Sequence, residues 1–459
     1  MSDELPQGWT TAPVSEVIED FQPGFASGEK NVEGGVAHLR MNNIGLDGEL
    51  VLDLIRTVPE NLAKPRHDLL PGDVLVCTTN SGVLVGKCAY FNLEGRYAFS
   101  NHLTRLRPKR NVIDGRFLRW NLWPHWKRGV FDDKCKHWVN QSSLPKDALL
   151  EDEIIVPPLA EQRRIVAKLG KLLGKLDACQ QRLEKMPTLL QRFRQSILAA
   201  ACSGRLTADW REKNPTPSSD ADAENNLLNG WQQTTVGDAI ESLKYGTSQK
   251  CSHEKQGVPV LRIPNIADGV VSHSDLKYAK LPEKEFQRLR LRVGDILLIR
   301  SNGSVSLVGK CALVRAADKD VAYAGYLIRL RPDAKRVSPG FLNLILGSYD
   351  VRKQIEIPAR STSGVNNINS EEVRALEFIL PPLAEQQEIV RRVEGLFALA
   401  DQLEQLLATA RGQVDKLTPS LLARAFASQL VPQNPTDEPA EKLLERIKTQ
   451  YKTKSRIDE

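Results

Sequence analysis

The hexapeptide Pro157-Pro158-Leu159-Ala160-Glu161-Gln162 returns letter for letter as Pro381-Pro382-Leu383-Ala384-Glu385-Gln386. Behind the first copy, apolar residues fall at Ile165, Leu169, Leu172, Leu176, Cys179, Leu183, Met186, Leu190, Phe193 and Ile197. The steps alternate four and three, which is the seam of a coiled coil. Behind the second copy the series is Ile389, Val393, Leu396, Ala400, Leu403, Leu407, Ala410, Val414, Leu417 and Leu421, each 224 positions beyond its counterpart. Two matched seams in one chain can bury each other. Twenty such residues at about 1.5–3 kcal/mol each give a gross gain that offsets the ordering of two rods. The expected architecture is an intramolecular pair of long helices with one globular module per half.

The double prolines stop the preceding strand and suit a first helical turn, where no N–H is required. Pro187 and Pro419 lie inside the apolar series, so a kink or short break is expected in each helix. The second helix has the weaker core letters, Ala400 and Ala410, and its ending Ser428-Gln429-Leu430 lacks the glycine found at Gly204.

Around this frame the chain divides into a first module over residues 1–156 and a first spacer region over 157–204. A Pro/Ser/acidic linker over 205–229 follows, then a second module over 230–380, a second spacer region over 381–430 and a charged tail over 431–459, which is expected to end in a helix from Ala440 to Lys452 with Leu443, Leu444 and Ile447 as its apolar side. In the first module, short β-rich runs are expected at Val36–Leu39, Gly45–Gly48, Asp73–Cys77, Gly86–Phe91 and Ile154–Val156, with an aromatic helix around Trp120, Trp123 and Trp126. The second module repeats the first. Gly8-Trp9 becomes Gly230-Trp231, Leu39-Arg40 becomes Leu261-Arg262, Gly72-Asp73 becomes Gly294-Asp295, and Arg105-Leu106-Arg107-Pro108 becomes Arg329-Leu330-Arg331-Pro332. The offset drifts from 222 to 224 residues along the way. Between these anchors the letters differ freely, the mark of one scaffold used twice with different loops.

Composition sets mild bounds. Apolar content of 41%, charged content of 26% and a net charge of +6 are ordinary for a globular protein and compatible with a polyanionic partner. Seven cysteines, odd in number and without C-x-x-C spacing, suggest a reduced compartment. The acidic start leads into no apolar core, and no apolar run approaches the roughly 18 residues of a membrane span. A soluble cytoplasmic protein is expected.

Catalytic patterns fail. Gly82 to Lys87 has three residues between its glycines and Cys88 after its lysine, whereas a phosphate loop needs four and then Ser or Thr. Cys135 and His137 have no second ligand pair at zinc spacing. No nucleophile elbow, zinc-protease helix or dinucleotide fingerprint occurs, nor an Asn-Pro-Pro-aromatic motif. The chain reads as a non-enzyme without catalytic, metal or cofactor residues of its own.

Binding is the better fit. Polar loop residues of the kind that read base edges or hold phosphates recur at matched places. In the first module they are Arg40, Asn42, Asn43, Thr79, Asn80, Ser81, Lys87, Gln141 and Ser142. In the second they are Arg262, Asn265, Arg300, Ser301, Asn302, Lys310, Thr362, Ser363, Asn366 and Asn367. Along the helices, Leu159, Glu161, Gln162, Leu169, Leu176 and Leu183, with Leu383, Glu385, Gln386, Val393, Leu403 and Leu407, are the candidate spacer and partner-docking residues.

Two variable modules, each closed by Pro-Leu-Ala-Glu-Gln entering a long helix, resemble the specificity subunit of type I restriction-modification enzymes. The Leu5-Pro6-Gln7-Gly8-Trp9 start, Arg192-Phe193-Arg194-Gln195 and Gly204-Arg205-Leu206-Thr207 strengthen the likeness, which covers nearly the whole chain. The resemblance implies an α+β protein: two repeated mixed α/β target-recognition domains separated by a pair of long antiparallel coiled-coil helices with pseudo-two-fold symmetry. Each domain would read one part of a split double-stranded DNA target. The helices would act as spacer and as dock for two methyltransferase subunits. Those subunits would bring S-adenosylmethionine, and restriction/translocase subunits would bring ATP and Mg chemistry. Inserting four residues into both helices should then lengthen the unread gap in the target.

Overall fold

A computed structural model describes residues 5–139, 141–215, 227–266, 269–318, 320–357 and 366–455. The chain forms two compact units, residues 1–181 with 411–459, and residues 182–410.

In the first unit, Thr10–Pro13 pairs antiparallel with Glu153–Val156, so the beginning and end of the module are stitched together. A four-stranded antiparallel sheet runs in the order Ile18–Pro23, Leu103–Pro108, Val74–Cys77, Cys88–Tyr90. A second sheet has Val36–Leu39 at its centre, antiparallel to Arg56–Val58 and parallel to Tyr97–Phe99. The strand Val74–Cys77 is apolar at every position because both of its faces are covered. Val74 and Val76 enter one core with Phe117, Leu118 and Ile165, while Leu75 and Cys77 enter another with Leu39, Phe91 and Phe99. Residues 45–48, expected as strand, form a turn instead, between the bridged Ile44 and Leu50.

The second unit repeats this plan. Gln232–Thr235 pairs with Glu377–Leu380, and the four-stranded order is Ile240–Tyr245, Leu327–Pro332, Ile296–Ile299, Cys311–Leu313. Val258–Leu261 is again flanked by one antiparallel strand, Lys277–Ala279, and one parallel strand, Ala322–Tyr323. The repeated letters are structural staples. Asp73 accepts from Arg107 Nε and Nη2 at 2.8 Å each, and Asp295 accepts from Arg331 Nε and Nη2 at 2.7 Å each. These are bidentate pairs on buried carboxylates. Gly86 and Gly309 have φ of +92° and +80°. A Cβ on Gly86 would strike the Phe131 ring, and one on Gly309 would lie 2.7 Å from Ile355 Cδ1. The glycine of the false phosphate loop is a packing requirement.

The long helices run Leu159–Cys202 and Leu383–Phe426, 44 residues each, with Pro187 and Pro419 inside them. The expected breaks are absent. Within each unit the two helices run antiparallel. In the first unit Ser428, just beyond the end of the second helix, donates to Glu161 at the start of the first. In the second unit Arg194, late in the first helix, bridges Asp401 and Glu404 at 2.8 and 3.1 Å.

Two stretches outside the expected modules are folded. Arg205–Thr207 forms a 3₁₀ turn and Ala208–Lys213 a helix, so this part of the expected linker is a packed cap on the second unit, with Thr207 buried. The tail forms the helix Ala440–Ser455, whose Ala440, Leu443, Leu444 and Ile447 join the main core of the first unit.

Candidate nucleic-acid interface

Both modules follow their central strand with a 3₁₀ turn, Met41–Asn43 and Ile263–Asn265. The third residue of each turn caps it. Asn43 Oδ1 accepts from Arg40 N at 2.9 Å and its Nδ2 donates to Val51 O at 2.8 Å. Asn265 Oδ1 accepts from Arg262 N at 2.8 Å and its Nδ2 donates to Ser274 O at 2.7 Å. Both asparagines are buried and fully used, so they build the turn and do not face a ligand. Lys87 is corrected in the same way. Its Nζ donates to Met41 O and Ile44 O, tying the turn down, and burial pushes its ammonium below the usual lysine range. Lys310 in the second module stays exposed.

What the turns leave outward is Asn42 with Met41 in the first module and the arginine fork in both. Arg40 Nη2 donates to Leu54 O at 3.1 Å; Arg262 Nη2 donates to Asp275 O and Oδ2 at 2.6 and 2.9 Å.

The second group of expected residues is drawn together by short strands. Thr79 and Asn80 pair with Ser143 and Ser142, which pair onward with Lys136 and His137. Ser142 Oγ lies 2.9 Å from His137 Nδ1, Asn80 Oδ1 accepts from Ser81 N, and Gln141 is exposed beside them. In the second module Ser301 and Asn302 pair with Asn367 and Asn366. Arg300 stacks over Tyr245 at 4.7 Å and donates from Nε to Asn367 Oδ1 at 3.2 Å, which fixes its plane at the edge of this patch. Asn302 caps Ser304 N, and Asn366 donates to Gly303 O, so their amides serve the loop. Thr362 and Ser363 lie outside the described residues.

Sequence reasoning missed two features. Just after His137, Trp138 and Val139 are 61% and 98% exposed, and only this apolar pair among polar neighbours could have flagged them. The first module also has a cleft of about 230 Å³ lined by Phe25, Lys30, His38, Arg40, Asn42, Arg56, Ser100, Asn101 and His102, among others. The aromatic helix, Gly115–Lys127, is core. Trp126 Nε1 donates to Val83 O at 3.0 Å, and buried Arg119 donates to Asp47 O.

The hexapeptide residues turn inward as well. Glu161 accepts from Trp9 Nε1 at 3.0 Å and from Ser428 Oγ at 2.9 Å. Glu385 accepts from Trp231 Nε1 at 2.8 Å, from Thr207 Oγ1 at 2.7 Å and from Arg211. Gln162 bonds Asp114 N, Val112 O and Pro157 O; Gln386 bonds Ser338 N, Arg336 O and Pro381 O. All four side chains are buried, so they lock each helix to its own module and are unavailable to a partner. Leu159 and Leu383 are partly exposed beside them. Along the seam Leu169, Val393 and Leu407 are buried and Leu176 and Leu183 half-buried, but Leu403, Leu417 and Cys179 are exposed. Toward the start of the second helix, Arg391 and Arg392 hold the Glu388 carboxyl down to about 2.

Among the described residues no group of three His, Cys, Asp or Glu could hold a metal. Burial pushes the Cys88 and Cys311 thiols up to about 12, out of the reactive range. No described helix is long and apolar enough to cross a membrane.

Residues 229–409 match the family model of the type I restriction modification DNA specificity domain. The chain is 31% identical, over 97% of its length and 96% of the relative's, to the type I restriction enzyme EcoKI specificity subunit of Escherichia coli K12. Over the same shares it is 32% identical to the StySPI specificity subunit of Salmonella potsdam. The fold is like that of the HsdS subunit from Thermoanaerobacter tengcongensis, with a TM-score of 0.60, 19% identity, and 93% of this chain and 99% of that one covered. The duplicated scaffold, the hexapeptide locks and these relatives together place the chain in the family of type I restriction enzyme specificity subunits.

Proposed function

We propose that this chain is the DNA-reading, non-catalytic component of a type I restriction-modification complex, and that each module reads one half of a split target. The observation that carries the reading is the contrast inside the duplicated scaffold. The staples recur (Asp73 with Arg107, Asp295 with Arg331), whereas the outward letters differ. Asn42 stands where the second module has Pro264, and half-exposed Thr79 with Ser143 stands against Ser301 with exposed Asn367. One frame with two sets of solvent-facing polar groups suits the recognition of two different short sequences.

In this reading the long helices receive two methyltransferase subunits. The exposed apolar positions Leu399, Leu403 and Leu406 in the second unit are the surface that supports it. S-adenosylmethionine belongs to those subunits, and ATP and Mg to the restriction subunits; the complex works in the cytoplasm. The test is to express the chain with its modification subunits and map methylated bases across a genome. A bipartite consensus with an unread gap is expected. Methylation without sequence preference, or none at all, would overturn the proposal.

A further inference from the structure

Ten buried side-chain polar atoms lack a partner among the described residues, and four belong to residues lining the cleft of the first module. They are His38 Nε2, Arg40 Nε, Ser100 Oγ and His102 Nδ1. His38 is only 4% exposed and Ser100 5%, so these groups have little access to bulk water. An unmet buried polar atom costs about 1–3 kcal/mol, and four of them around one cleft make it a place that favours a polar partner.

The second module supplies the control. Its equivalent strand pairing sets Val260 beside Ala322 and Lys277, where the first module has His38 beside Ala98 and Arg56. The parallel bridges Phe25 with Ser100 and Thr247 with Ala324 extend the match, and both Thr78 and Arg300 N–H groups bond the residue two further on, His102 and Tyr326. So His38, Ser100 and His102 correspond to Val260, Ala324 and Tyr326. The same scaffold accepts two apolar residues and a tyrosine there. The unmet polar groups of His38, Ser100 and His102 are therefore not needed to build it, whereas Arg40 Nε has an equally unmet counterpart in Arg262 Nε and belongs to the shared scaffold.

The kind of ligand follows from the mix of donors and acceptors. Burial, against the pull of the Phe99 and Phe25 carbonyls, keeps His38 neutral. A neutral imidazole has one acceptor nitrogen, and the Ser100 hydroxyl can accept as well as donate. Arg40 beside it can only donate. A phosphate carries acceptors alone and would meet the His38 lone pair unfavourably. The major-groove edge of adenine carries an amino donor at N6 and an acceptor at N7 side by side. We propose that this cleft reads the edge of one adenine in the half-site of the first module, with His38, Ser100 and His102 as the specificity-determining residues and Arg40 as the shared donor beside them. This rests on the reading of the chain as a DNA-recognition subunit.

The test gives the first module the letters of the second: His38→Val, Ser100→Ala and His102→Tyr together, with His102→Tyr alone as a milder variant. Each is assembled as the full chain with modification subunits, and binding is measured on duplexes altered one base pair at a time. The expected result is a loss of roughly tenfold to hundredfold in discrimination at one A·T position of one half-site. The other half-site and the salt dependence should stay as they were. Unchanged discrimination at every position would overturn the proposal. So would uniform weakening with a shallower salt slope, the signature of a phosphate contact. If the wild-type assembly bound no DNA sequence selectively, the recognition reading itself would fall instead.

Discussion

The two hexapeptide glutamates differ in a way that can be measured. Glu385 holds two neutral donors, Trp231 and Thr207, and the guanidinium of Arg211, whose side chain is one-fifth exposed. Glu161 holds only two neutral donors, Trp9 and Ser428. Truncating Glu161 to alanine strands an indole N–H and a hydroxyl, for a cost of about 1–3 kcal/mol. Truncating Glu385 also removes the counter-charge of a mostly buried cation, which keeps only its neutral acceptors Gly204 O and Thr207 Oγ1, and should cost about 3–5 kcal/mol. Urea unfolding followed by tryptophan fluorescence suits the comparison, because Trp9 and Trp231 sit on the two locks. The transitions of the two units must be fitted separately, since a chain of two units need not unfold in one step. Adding Arg211→Ala to Glu385→Ala closes a double-mutant cycle, and a coupling of about 0.5–3 kcal/mol is expected. Equal costs for the two truncations, or a cost below about 1 kcal/mol for Glu385→Ala, would refute the reasoning.

Asn43→Ala should destabilise the first unit by about 1 kcal/mol through loss of the cap and leave target choice intact, whereas Asn42→Ala should do the reverse; melting curves and half-site binding assays separate them. Arg40→Ala and Arg300→Ala should each relax one half-site only, by about 1–3 kcal/mol, measured on singly substituted duplexes. Burial lowers the proton affinity of His38 and His67 in the folded state. Their contribution is therefore intact above the unfolded value near 6.5 and is lost as pH falls below it toward the folded pKa. Melts from pH 7.5 to 5.5 should show that loss, and a His38→Val variant should show a shallower one. Deleting 440–455 removes Leu443, Leu444 and Ile447 from the core at about 1.5–3 kcal/mol each and should lower the melting of the first unit while sparing the second, as separate fluorescence transitions will report.

The helix pair and the duplication were legible because a 3.5-residue period and an exact hexapeptide repeat are local signals. The use of the repeated letters was not. Recurrence in both halves pointed to recognition at Asn43, Asn265 and Lys87, and the structure spends all three on holding the turn after the central strand. Residues that recur in a duplicated scaffold are those the scaffold needs. On the proposed reading recognition sits where the copies disagree, as at His38 against Val260, a difference next to the Leu39 and Leu261 anchors that a search for matching letters passes over. The prolines do not break the helices. The cost of one mid-helix proline is local, and the packing of a 44-residue helix exceeds it. Gly204 is a left-handed helix end, with φ of +72°, and Ser428 adopts the same conformation at +55°. Serine carries that strain and gains the bond to Glu161.

The first unit is closed by residues from both ends of the chain: Ala440 N donates to Gly8 O, and Gln433 donates to Gln7 O. On the ribosome this reverses the usual order. The second unit, 182–410, is contiguous and complete once its last helix turn emerges. The first must wait for more than two hundred further residues, on the order of tens of seconds at roughly 5–20 residues per second. For that interval Trp9, Val166 and the rest of its core lack their final helix, so nascent chains are most vulnerable to aggregation and proteolysis at the end made first.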